Sequence, residues 1–172
     1  DIESFRDIES FYESLVSVDF VLCRGEILAE LLHKGRNIQG AYFTPEQLAL
    51  SCTRRAVSDL VRKKLGVDTS LDTFSDLRKQ SQIKVFELLS TIKIADVSSG
   101  VGRFLVAYVE VVRELLQASN SSKTVLQSYL AKAISNITAI DIDYLALDIA
   151  RLCVYEASGY KQLPESSSFV LA

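Results

Sequence analysis

Ile92-Lys93-Ile94-Ala95-Asp96-Val97-Ser98-Ser99-Gly100-Val101-Gly102-Arg103-Phe104-Leu105 is the stretch from which the fold class is read. Ile92 and Ile94 are β-branched and, with Ala95, predict a short buried strand ending at Asp96. Ser98 to Gly102 form a small glycine-bearing turn. Phe104, Leu105, Tyr108, Val111, Val112 and Leu115 then recur at steps of three and four, the apolar stripe of an amphipathic helix. Strand, glycine turn and helix in that order make a binding crevice at the carboxyl end of the strand. Gly100 and Gly102 lack the Cβ that keeps a ligand from the backbone, and they reach φ values that other residues resist.

The turn narrows what it can bind. A dinucleotide fingerprint wants a third small residue three places after Gly102, and Leu105 stands there. No Gly-Lys-Ser/Thr follows, which excludes a phosphate-cradling P-loop. The pattern Asp96-x-x-x-Gly100-x-Gly102-x-Phe104-Leu105 instead resembles the cofactor motif of S-adenosylmethionine-dependent methyltransferases. It is similar to the Asp-Pro-x-x-Gly-x-Gly-x-Phe-Leu version typical of adenine-specific DNA methyltransferases, with Val97 in place of the proline.

Two further segments carry the same resemblance. Upstream, Gly40-Ala41-Tyr42-Phe43-Thr44-Pro45 is similar to the family's Gly-x-Tyr-Phe/Tyr-Thr-Pro segment, which lies against the methionine end of the cofactor. Read locally, Thr44 before Pro45 is a helix N-cap followed by a first-turn proline, and free amides at a helix N-terminus favour a carboxylate. Leu48, Cys52, Ala56, Leu60 and Val61 supply that helix with a candidate buried stripe. Downstream, Ile137-Thr138-Ala139-Ile140-Asp141 reads as a second strand, with a helix through Ala146, Ile149, Ala150, Leu152, Cys153 and Val154 after it. An acidic residue at the end of such a strand accepts hydrogen bonds from ribose hydroxyls. Ala139-Ile140-Asp141-Ile142-Asp143-x-x-Ala146 resembles the family's Gly-Ile-Asp/Glu-Ile-Asp-x-x-Ala segment, making Asp141 the candidate ribose acid and Asp143 a helix N-cap.

The resemblance spans residues 38 to 158 and implies a Rossmann-like class I methyltransferase fold, with a parallel sheet that is only partial here. It implies S-adenosyl-L-methionine as cofactor, held by Ala41, Tyr42, Phe43, Thr44, Pro45, Asp96, Ser98, Ser99, Gly100, Val101, Gly102, Phe104, Asp141 and Ile142. The activity implied for the intact protein is methyl transfer to the exocyclic amino group of adenine in DNA, within a restriction-modification system. DNA and a specificity or restriction subunit are the implied partners. The family's Asn/Asp-Pro-Pro-Tyr/Phe segment, which holds the extruded base, does not occur in this sequence, so no catalytic residue is assigned. The alternative reading is a catalytically inactive cofactor-binding or subunit-interaction module. A dinucleotide oxidoreductase is disfavoured by Leu105 and by the Tyr-Phe-Thr-Pro segment.

The rest of the chain fits an α/β domain with a helical amino-terminal region. Residues 1 to 33 carry helical periodicity through Phe5, Ile8, Phe11, Tyr12 and Leu15, then Ile27, Leu28, Leu31 and Leu32. This places a helical extension at 1–38 and the cofactor-binding core at 39–172. His33 reads as a helix-end surface residue. Between Val67 and Leu89 one or two helices are expected, with Arg78, Lys79 and Lys84 open to contact with a phosphate backbone but read most simply as a solvated face. Ala118 to Lys123 reads as a loop, Val125 to Ile134 as a short helix, and Phe169-Val170-Leu171 as the start of another strand.

Composition bounds these readings. The chain has 172 residues, 48% hydrophobic and 24% charged, which predicts a packed core. Its 19 basic and 22 acidic side chains leave a net charge of -3, unlike a stand-alone nucleic-acid binder. The 3 cysteines, Cys23, Cys52 and Cys153, have no C-x-x-C pair and read as thiols of a reducing compartment, with neither disulfide nor metal site. With no apolar run of membrane-spanning length and no signal segment, a cytoplasmic location is expected. The chain begins at Asp1, contains no Met and ends just after an incipient strand, and so reads as a piece of a longer protein.

Overall fold

In the computed structural model the described residues are 44–70, 74–119, 122–159 and 164–172. The expected helices in residues 1–33, together with His33, Cys23, Ala41, Tyr42 and Phe43, lie outside them. Helix α1 runs over Glu46–Leu65 and α2 over Lys79–Leu89. Strand β1, Ile94–Asp96, leads through the glycine turn into α3, Arg103–Ala118. Helix α4, Lys123–Ser135, precedes β2, Ile137–Asp141, and α5, Tyr144–Ala157, follows it. A 3-10 turn at Ser166–Ser168 enters β3, Phe169–Leu171. The fold is α/β, with a small parallel sheet of order β1-β2-β3.

Each strand is parallel to its neighbour, pairing Ile94 with Ile137 and Asp96 with Ala139, then Ala139 with Phe169 and Asp141 with Leu171. Parallel neighbours need a crossover, and α3 with α4, then α5, provide the two connections. Side chains alternate across the sheet: Ile137 and Ala139 are buried in the helix-side core, while Ala95 and Val170 on the other face are exposed. Strand β1 starts at Ile94, two residues later than the sequence suggests, because Thr91 and Ile92 still donate backbone hydrogen bonds to the carbonyl of Leu88 at the end of α2.

Helix α3 is the central helix, contacting α1, α4, α5 and β1. Its predicted stripe is buried at Leu105, Tyr108, Val111, Val112 and Leu115, whereas Phe104 in the first turn is 42% exposed. Tyr108 is 2% exposed and donates from its hydroxyl to the carbonyl of Leu89 at 2.8 Å, so the one polar atom of its ring is satisfied in the core. Phe74, Phe86 and Tyr129 stack into the same core, with successive ring centroids 5.7 Å apart. No described helix is long and apolar enough to cross a membrane.

The stripe expected for α1 holds at Val61, with Leu60 half-buried, and is out of phase at Leu48, Cys52 and Ala56. Ala49, Val57 and Val61 are its buried residues, while Leu48, Cys52 and Ala56 are exposed. The face toward α3 is selected by packing, and Ala49 and Val57 turn into it at four-residue multiples from Val61. The N-cap also differs: it is Pro45, without a side-chain cap, and its carbonyl accepts from the amides of Leu48 and Ala49, both at 3.0 Å. Thr44 therefore stands one residue outside the cap. Asp143, by contrast, caps α5 as expected, accepting from the Leu145 amide at 3.0 Å.

Candidate functional site

The crevice at the carboxyl ends of β1 and β2 is assembled by hydrogen bonds between segments far apart in sequence. The Ser99 amide donates to the carbonyl of Ile140 at 3.1 Å, which pins the glycine turn to β2. The Gly102 amide donates to the carbonyl of Ser99 at 2.8 Å and closes the turn. The Gly100 amide donates to Asp141 Oδ2 at 2.7 Å, and the Asp143 amide donates to Asp141 Oδ1 at 3.1 Å. Each carboxylate oxygen has two lone pairs, so each retains acceptor capacity after these bonds. Asp141 is thus a fixed carboxylate, oriented by backbone amides from both sides. Asp96 plays a smaller part, accepting from the Ser98 amide at 3.3 Å.

The two glycines do different work. Both have positive φ, 51° at Gly100 and 75° at Gly102. A Cβ on Gly100 meets nothing within 4 Å, so that backbone is open to an incoming group. A Cβ on Gly102 would lie 2.8 Å from Ala150 Cβ and 3.3 Å from Ala150 Cα, so this glycine serves the close packing of the turn on α5. The Val101 side chain is also committed to that packing, buried in a small cluster with Ile149 and Cys153. Only its backbone is left to face a ligand.

Helix α3 begins at Gly102 with no side-chain cap and no acidic residue in its first turn, where Arg103 stands instead. Uncapped amides and a cation at the positive end of the helix dipole cost stability unless an anion is present. The Ser99 hydroxyl adds a second unspent group, since Ser99 is only 7% exposed and its Oγ has no hydrogen-bond partner. Val97, one residue after β1, and Ile142 and Tyr144, just after β2, are 74%, 84% and 66% exposed. The arrangement offers a fixed carboxylate to hydroxyl donors, an anion position at a helix start, and apolar surface for a planar body.

Of the expected site residues, hydrogen bonds bring together Asp96, Ser98, Ser99, Gly100, Gly102 and Asp141. Phe104 and Ile142 stand exposed in the segments next to them. Thr44 and Pro45 stand at the head of α1 and form no hydrogen bond with the turn. Sequence reasoning passed over Tyr144, the first residue of α5, which the motif leaves unspecified; its signal was an aromatic residue directly after an N-cap. No group of metal-ligating side chains occurs among the described residues. No protein-family model matches the chain, and neither a curated protein nor a solved structure matches it.

Proposed function

We propose that this chain is the cofactor-binding portion of an S-adenosylmethionine-dependent DNA methyltransferase acting on adenine. The observation that carries the reading is the 2.7 Å hydrogen bond from the Gly100 amide to Asp141, which joins the glycine turn to the acid at the end of β2. The residues present fit the cofactor. Asp141 accepts from the ribose hydroxyls through the lone pairs its backbone donors leave free. The open backbone at Gly100 admits the cofactor, and the uncapped start of α3 with Arg103 suits its carboxylate. Ile142 and Val97 offer apolar surface to the adenine ring. When bound, the cofactor supplies an electrophilic methyl group on sulfur.

The chain's own residues bind and orient in this reading. They do not hold the target base, because the Asn/Asp-Pro-Pro-Tyr/Phe segment is absent from this sequence, whose 2 prolines are Pro45 and Pro164. That absence favours one second reading, a cofactor-binding or subunit-docking module without activity of its own. Every reading in which the chain holds the cofactor requires Asp141; subunit docking does not. Replacing it, Asp141→Ala, removes the charged acceptor of the ribose hydroxyls and is expected to weaken S-adenosylmethionine binding by about 1–3 kcal/mol. Isothermal titration of the two proteins measures this, and equal affinities would remove Asp141 from the site.

A further inference from the structure

A second candidate site lies away from the crevice, in a groove between α1 and α3 of about 670 Å³. Val111 and Leu115 of α3 form its apolar floor, and Arg54, Arg55 and Arg62 of α1 line it. Arg54 is already committed, donating to Glu114 at 2.6 and 3.3 Å through two nitrogens, which also neutralises that acid. Arg55 and Arg62 are not committed in this way. Among the described residues each is in ion-pair range of Asp59 alone, at 4.0 and 3.9 Å, beyond hydrogen-bonding length, and their side chains are 87% and 62% exposed. Asp68 at the groove's end accepts from the Ser70 amide at 3.0 Å, so its carboxylate is partly satisfied locally.

The charge is concentrated there against the trend of the chain. From Arg54 to the end of α1 the helix carries Arg54, Arg55, Arg62, Lys63 and Lys64 against Asp59, with Glu114 and Asp68 as the acids lining the groove, while the whole chain carries -3. Arg55 and Arg62 are seven residues apart on one helix, which is about 10 Å of axis. Measured along the axis of a duplex, that is about three base-pair rises. Planar guanidinium forks with open donors suit phosphate oxygens. The groove begins about 14 Å along α3 from Gly102.

We infer that the α1–α3 groove is a phosphate-backbone contact for duplex nucleic acid, with Arg55 and Arg62 as its phosphate ligands. The inference rests on the DNA reading above and assigns that partner a surface within this chain. Its test is fluorescence anisotropy of a labelled duplex of arbitrary sequence with the 172-residue chain, over a series of salt concentrations. R55A/R62A is expected to lower the slope of log affinity against log salt by about two. R55E/R62E is expected to weaken binding at least about tenfold at 50 mM salt, since like charges then face the phosphates. K84E/K132E, an equal charge change at exposed lysines outside the groove, should have a much smaller effect.

Equal losses from the two reversals, or an unchanged salt slope, would overturn the groove assignment. Polyglutamate that displaces the duplex at equal charge concentration would overturn the nucleic-acid assignment in favour of an acidic protein partner. Cofactor titration of R55E/R62E separates this inference from the reading it rests on. Wild-type cofactor affinity with lost duplex binding is the expected result. Groove-dependent duplex binding in a chain that takes no cofactor would keep the groove and sink the methyltransferase reading.

Discussion

At the scale of single residues, the turn separates two glycines that look equivalent in sequence. Gly100→Ala forces a left-handed alanine into open space, costing about 1–2 kcal/mol in backbone strain. Gly102→Ala meets the same strain and, in addition, a contact of 2.8 Å with Ala150 on a packed helix. Overpacking of that kind adds about 1–3 kcal/mol. Chemical denaturation should therefore find Gly102→Ala the more destabilised of the two, while Gly100→Ala stays folded and loses cofactor affinity. The reverse order would mean that α5 yields at Ala150. The two positions were legible as glycines that a strand-to-helix turn requires. That one faces open space and the other a helix was not, because Ala150 is 48 residues away along the chain and only folding brings it there.

At the scale of elements, α5 carries a titration that its own sequence does not reveal. Burial raises the pKa of the Asp148 carboxyl from its ordinary value, against the opposing pull of Arg151. The folded protein thus holds this proton at pH values where the unfolded chain has already released it. Stability from this group is present below the unfolded value and is lost as pH rises through the folded one. Asp148→Asn should remove that part of the decline, so thermal unfolding across the mildly acid range should be flatter in the variant. An unchanged pH profile would show that Asp148 is solvated in the native state. Element identity itself was largely legible: β2 and the Asp143 cap lie where the sequence places them, and α3 and α4 extend only slightly beyond their readable stripes. Helix α1 shows the limit, since Leu48 and Ala49 are equally plausible inward residues until α3 provides the surface they compete for.

At the scale of the whole molecule, the proposed methyltransferase reading gives the crevice a cofactor to bind and orient, while the segment that would position a base does not occur in this sequence. The 172-residue chain assayed alone is expected to transfer no methyl group to unmethylated DNA. Positioning of the amino group in line with the sulfonium supplies much of the barrier reduction, and nothing in this sequence supplies it. Incorporation of labelled methyl above background would place that function in a residue of this chain and overturn the assignment. The order strand, glycine turn, helix, strand and helix was written in local periodicity, turn chemistry and the Asp143 cap, which depend on neighbours a few residues apart. The helix face that turns inward, the use of Gly102 for packing and the clasp between Gly100 and Asp141 were decided by tertiary structure. The last two join residues 48 and 41 positions apart, and parallel pairing of β1 with β2 is what brings them within van der Waals or hydrogen-bonding reach.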